Sequence, residues 1–265
     1  MNIMGKPIRR LGIGRASTRE GITEPEKRGE KLYKIEWLLK KGLAPEHAKK
    51  RWHNQPYGNL VKLNTHRVVL DSVGENVLTR IVDDFLCMLE TSAAVYEKNG
   101  DYALGIFASG WCRFLDQASR KLCNTKDNRE ALKCGKWHCH ESCWTEASKL
   151  SVEISKAVDV ECRGGIRLYA VPIWVRGKVV GSINFGYGDP PKDLEKLRQI
   201  AERYRVSVNR LKMYSNAYDS RPPFMTDLAK SLLITKARLI GEIIEHKEAE
   251  EALKESEERY RGLFE

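Results

Sequence analysis

No stretch of this chain reaches the about 18 uninterrupted apolar residues that a membrane-crossing helix needs, so no such helix is expected. The first residues, Met1-Asn-Ile-Met-Gly-Lys-Pro-Ile-Arg-Arg, lack the apolar core of a secretory signal. Together these absences lead us to expect a cytoplasmic protein. The Gly-x-Ser-x-Gly elbow, the phosphate-binding P-loop and the dinucleotide fingerprint are also missing. Gly186-Tyr-Gly188-Asp-Pro-Pro is a glycine-bearing loop with no helix start behind it to hold a phosphate. There is no motif that reads DNA bases and no Cys-x-x-Cys knuckle.

Cysteine, by contrast, is concentrated. Six of the seven cysteines fall between Cys112 and Cys162. Three sit in the run Cys134-Gly-Lys-Trp-His-Cys139-His-Glu-Ser-Cys143-Trp, which also carries His138 and His140. Thiols and imidazoles at this density oxidise, scavenge metals and mispair when idle, so the run asks for a role. An odd number of cysteines in a reducing compartment favours thiol or metal chemistry over a disulfide scaffold. Cys134, Cys139, Cys143, His138 and His140 are the soft donors that suit zinc or an iron–sulfur cluster. On a helix Cys139 and Cys143 share a face, and Cys112 or Cys123 would complete a set of four. A sulfur-lined pocket for an organic ligand, a thiol sensor and plain core packing remain open beside it. A Cys–His nucleophile is not expected, because side chains adjacent in sequence point apart. Cys87, on an apolar helical face, is read as core.

Charge is uneven. Residues 1–62 carry 15 Lys and Arg against 6 Glu, a balance of +9 within a total of +10. Such a segment can meet nucleic acid or an anionic surface, but aromatic residues are sparse in it, and a solvated tail followed by a charged helix is the expectation. Nucleic acid is therefore not expected as a partner.

Five segments are read along the chain. Residues 1–23 form a basic tail rich in Gly, Arg, Ser and Thr, and residues 24–72 a helical segment with helices over 25–41 and 45–52. Residues 73–190 form an α+β domain. It opens with a helix over 73–91, carried by Val77, Leu78, Ile81, Phe85, Met88 and Leu89. Ser92–Glu97 and Tyr102–Phe107 are strands joined by Asn99-Gly100, whose tolerance of positive φ makes a tight hairpin. A second hairpin runs over 166–175 and 179–186, with the cysteine-rich insert between the two, so a small antiparallel sheet with helices on one side is predicted. Residues 191–222 form a helical extension with helices over 193–204 and 207–218. Residues 223–265 are one long helix in which Leu228, Leu232, Leu239, Ile243 and Leu253 approximate a heptad seam broken at His246 and Glu250. A homodimer through residues 225–264 is expected, the alternative being a single helix laid on its own domain. His246 is followed by Lys-Glu-Ala-Glu, without the directly following acidic residue of a phospho-acceptor.

These residues resemble a known family. Gly110-Trp-Cys112-Arg-Phe-Leu, then Cys123, Glu161-Cys162-Arg-Gly-Gly-Ile-Arg-Leu-Tyr-Ala-Val-Pro-Ile and Gly177-Lys-Val-Val-Gly-Ser-Ile-Asn-Phe-Gly are similar to the PocR sensory domain over roughly residues 75–190. The resemblance implies a PAS-like antiparallel sheet flanked by helices and a sensor of small organic molecules. Cys112, Cys123, Cys162 and Gly165 match the family pattern, while its Cys-His-x-Gly-Leu element reads Cys162-Arg163-Gly164-Gly165-Ile166 here, without the histidine. The ligand-binding set it implies, with the neighbouring aromatics, is Trp111, Cys112, Cys123, Cys162, Arg163, Gly165, Tyr169 and Tyr187. Ala252-Leu-Lys-Glu-Ser-Glu-Glu-Arg-Tyr-Arg-Gly-Leu-Phe-Glu265 resembles the lead-in helix of a PAS domain, so a downstream PAS and histidine-kinase module is the implied partner. The expected function is the non-enzymatic input module of a cytoplasmic signalling protein, taking a small organic ligand or a cysteine-ligated metal or redox centre. A DNA-binding regulator and a cysteine-ligated metalloenzyme are the alternatives.

Overall fold

The computed structural model describes residues 57–262 except Ser109, together with Gly29 and Leu32–Lys34, which are helical. The chain divides into units 1–43 and 44–265, and the second holds the whole sheet and the helices around it. The expectations for the basic tail, for the rest of the helices over 25–41 and 45–52, and for Leu263 and Phe264 lie outside the described residues.

Five antiparallel strands, β1 Ser92–Glu97, β2 Tyr102–Ala108, β3 Val158–Glu161, β4 Arg167–Val175 and β5 Lys178–Tyr187, form one sheet in the order β2-β1-β5-β4-β3. Helices are α1 Val68–Val73, α2 Glu75–Leu89, α3 Gly110–Lys121 and α4 Asn128–Lys133. A composite helix α5 joins His138–His140, the π-helical Glu141–Ser148 and Lys149–Ile154. Then come α6 Leu194–Tyr204, α7 Val208–Ala217 and α8 Pro223–Arg261. This is an α+β, PAS-like arrangement with a long C-terminal helix.

The Asn99-Gly100 turn closes the β1–β2 hairpin as predicted, with Gly100 at φ 94°. The helix expected over 73–91 is α2, Glu75–Leu89; Gly74 at φ 83° separates it from the short α1 that precedes it. Helices cover both faces of the sheet, not one. Every residue of β1 is buried, which a strand with one wet face cannot show. Ala93, Val95, Val171, Ile173, Ile183 and Phe185 point to the face packed by α1, α2 and α8. Ala94, Tyr96, Tyr102, Leu168 and Ala170 point to the other, packed by α5 and the 3-10 turn Leu60–Leu63.

Helix α8 spans 39 residues and lies along β4. Met225, Ala229, Leu233, Ala237, Ile240, Gly241 and Ile244 are buried there. At Gly241 the backbones are so close that a Cβ would overlap the carbonyl oxygen of Trp174. The expected dimer seam is therefore divided: Leu232 and Ile243 lean on the domain's own core, while Leu228, Leu239 and Leu253 are exposed. Glu248 marks the end of engagement, pairing with Arg176, and residues 251–261 are fully on the outside.

Candidate functional site

Four of the six clustered cysteines meet around one cavity on the α5 side of the sheet. Its walls are Trp111, Cys112 and Asp116 of α3, Cys139, Ser142 and Cys143 of α5, Cys162, Gly164 and Ile166 of the β3–β4 loop, Ser92, Ala108 and Leu168 of the sheet, and Tyr204 of α6. The cavity holds about 30 Å³. A water needs roughly 10–15 Å³ by this measure, so there is room for about two or three.

Local structure explains each wall. On α3, Trp111, Leu115 and Phe114 give the apolar stripe, which carries Cys112 and Asp116 inward at a four-residue spacing. Trp111 donates from Nε1 to Gly164 O at 3.1 Å and so ties the β3–β4 loop to α3. That loop turns at Gly165, φ 80°, where Cys162 O accepts the amide of Gly165. On α5 the π-helical register sets Cys139, Ser142 and Cys143 toward the cavity and His140 and Trp144 away from it. Asn184 of β5 holds that register, donating to Cys143 O at 2.8 Å and to Ser148 Oγ at 2.9 Å. Its own Oδ1 is buried and has no hydrogen-bond partner among the described residues.

The chemistry of the lining is soft and neutral. Burial pushes all four thiols up, Cys162 to about 11, so they face the cavity protonated at neutral pH. Protonated thiols are weak nucleophiles and must shed protons to bind a metal. Asp116 accepts from Trp137 Nε1 and from Tyr57 OH, both at 2.7 Å. Burial still raises its carboxyl to about 6 against the pull of those two hydrogen bonds.

The other expected residues are placed elsewhere. Cys123 and Cys134, put in two different sets by sequence reading, are joined as a disulfide. His140 Nδ1 bonds Tyr102 OH at 2.7 Å, and His138 lies between Arg163 and the carbonyl of Arg203. The five residues expected to hold zinc or an iron–sulfur cluster are thus split among a disulfide, a tyrosine, a loop arginine and the cavity. Among the described residues no group of three or more His, Cys, Asp and Glu side chains is arranged to hold a metal ion, so that donor set does not fit the centre. Arg163 sits at the rim, its Nε on Glu146 at 2.7 Å and its amide on Ser142 Oγ. Gly165 packs on Pro191 behind the loop. Tyr169 and Tyr187 lie on the opposite face of the sheet, because side chains alternate and Leu168 takes the cavity side. There Tyr187 OH joins Asp159, Arg167 and Lys230 of α8 in one polar knot. Sequence reading missed Ser92, Asp116, Ser142, Gly164 and Tyr204. The signal for Asp116 was a carboxylate four residues after Cys112 on an apolar stripe.

No helix among the described residues is long and apolar enough to cross a membrane. No curated protein and no solved structure matches the chain. Residues 71–248, about two thirds of the chain, match the family model described as the sensory domain found in PocR. The match runs past the hairpins through α6, α7 and α8 as far as Glu248, where α8 parts from the core. The chain therefore belongs to the PocR sensory-domain family and is a sensory module.

Proposed function

We propose that this module senses a small, uncharged organic molecule taken into the sulfur-lined cavity, and that the signal leaves through α8. The carrying observation is the convergence of Cys112, Cys139, Cys143 and Cys162 on one small cavity. Protonated thiols, Trp111 and Leu168 offer apolar, polarisable contact, and Ser92 and Ser142 offer hydroxyls. Such a lining suits a neutral ligand with one or two hydrogen-bonding groups. Since the space admits only about two or three waters, anything larger must push α5 and the β3–β4 loop apart. That displacement is the signal. Asp159 at the far side of the same hairpin bonds Lys230 of α8 at 2.7 Å, which gives the loop a physical connection to the helix. Downstream, the resemblance of residues 252–265 supports a PAS and histidine-kinase partner, and the exposed Leu228, Leu239 and Leu253 support a homodimer.

The test is a thermal-shift screen of short alcohols, ketones and thioethers on the full chain. A ligand that binds only the folded state raises the midpoint in proportion to the logarithm of its concentration. A saturable shift that disappears in Cys143→Leu, which fills the space, and weakens in Cys162→Ser is expected. A shift of equal size in both variants, each confirmed folded, would sink the cavity as the site. Metal analysis of anaerobically purified protein belongs in the same experiment: stoichiometric zinc or iron would replace the organic-ligand reading.

A further inference from the structure

The outer face of α5 forms a second site that the cavity does not use. His140 and Trp144 line a groove of about 290 Å³ with Leu63 and Thr65, the turn Asn99–Asp101, and Arg129, Leu132 and Lys133 of α4. Arg129 and Lys133 stand four apart on one face of α4, exposed, and their side chains have no hydrogen-bond or ion-pair partner among the described residues. His140 is only 5% exposed, yet it lines the groove. Tyr102 OH and His140 Nδ1 are hydrogen-bonded at 2.7 Å, and Tyr96 OH donates to Tyr102 OH at 3.4 Å. With Nδ1 engaged by Tyr102, Nε2 is the ring nitrogen of His140 left without a hydrogen-bond partner among the described residues. The one carboxylate of the groove, Asp101, is occupied: its Oδ2 accepts from Thr65 N, Thr65 Oγ1 and Asn99 Nδ2 at 2.7, 2.7 and 2.9 Å. The floor is apolar. Trp144 rests on Tyr96 with ring centroids 5.1 Å apart, and only glycine fits at position 100, where a Cβ would come within 2.6 Å of the indole.

We infer that this groove binds a small organic anion, its carboxylate or phosphate head held by Arg129 and Lys133 beside the His140 ring, its apolar body lying on Trp144 and Leu132. Two unpaired cations line the groove where a single hydrogen-bonded carboxylate opposes them, and a flat aromatic floor lies beside them. The site stands independently of the cavity reading, although both share α5 as a wall: Cys139 and Cys143 face one, His140 and Trp144 the other.

Isothermal titration of the full chain with benzoate, phenyl phosphate and uncharged benzyl alcohol tests it. At least one anion should bind saturably at millimolar concentration, more weakly as salt is raised. The comparison of benzoate with phenyl phosphate identifies the head group, and either one binding supports the site. In R129Q/K133Q, which changes only exposed side chains, affinity for the anion should fall by about tenfold or more. Benzyl alcohol binding as tightly as the anions, unchanged affinity in the double variant, or no saturable binding of either anion would overturn the inference.

Discussion

Asp116 and His140 share Trp137 as a neighbour, yet they answer acid in opposite senses. Burial raises Asp116 to about 6, so between about pH 4 and 6 the folded chain keeps a proton that the unfolded chain has released. Its contribution to stability is complete below about pH 4 and lost as pH rises to about 6. Burial lowers His140 to about 4, so over nearly the same interval the unfolded chain binds a proton that the folded chain refuses. That contribution is complete above about pH 6.5 and lost as pH falls to about 4. At full extent each is on the order of 3 kcal/mol, at about 1.4 kcal/mol per pKa unit. Urea unfolding from pH 4 to 7 should then show Asp116→Asn gaining stability with pH and His140→Gln losing it, with the wild type flatter than either. Parallel slopes in the two variants would show that these groups do not set the dependence. Neither behaviour is written in the sequence. An aspartate on α3 and a histidine beside Cys139 acquire their surroundings only when Tyr57, Trp137 and Tyr102 arrive from other segments. The cysteines were legible as a cluster for the same reason that their division was not. Cys134 and Cys139 are five apart, but one meets Cys123 and the other meets Cys112 and Cys162 across the fold.

At the scale of elements, local signals did well. Asn99-Gly100, the strands read over 166–175 and 179–186, and the helices read over 193–204 and 207–218 fall within a residue or two of the observed hairpins and helices. β3 was missed, since its four residues, Val158-Asp-Val-Glu161, are too few to show a period. The contact that matters most between elements is α8 on β4. Gly241→Ala puts a methyl group into the carbonyl of Trp174, so the helix must lift from the sheet, at about 1–3 kcal/mol and with helical content retained. Equilibrium unfolding with circular dichroism checks both parts; a stability unchanged within a few tenths would deny the close packing. The Lys230–Asp159 tie is of another kind. Both side chains are partly exposed, so Lys230→Met should cost no more than about 1 kcal/mol. It should leave the ligand-induced thermal shift intact while reducing any response read on α8, for instance by a spin label at Leu253.

For the molecule as a whole, the question is what the exposed stripe of α8 meets. Removing residues 225–265 cannot answer it, because Met225, Ala229, Leu233, Ala237, Ile240 and Ile244 belong to the core and the domain would lose its sheet cover. Leu228 and Leu239 are 47% and 41% exposed, so Leu228→Glu with Leu239→Glu spares the fold. Sedimentation should show the wild type as a dimer and the double variant as a folded monomer. A monomeric wild type would dismiss the dimer. Sequence periodicity found this stripe but could not separate it from the buried one. The two lie on neighbouring faces of one helix, and only the sheet decides which is covered.

The long helix has a consequence for building chimeric sensors. Cut at the Pro222-Pro223 break, which is where a linker would be drawn from sequence, a transplanted domain would leave behind the side chains that close its sheet. Joined after Glu248, beyond the last grip of Arg176, it carries them along, and the rotational phase of the grafted partner is then set by the face that Gly241 presents to Trp174. Insertions after that junction should rotate the attached partner by about 100° per residue without disturbing the sensor. The phase between sensor and partner thus becomes a quantity to be dialled in.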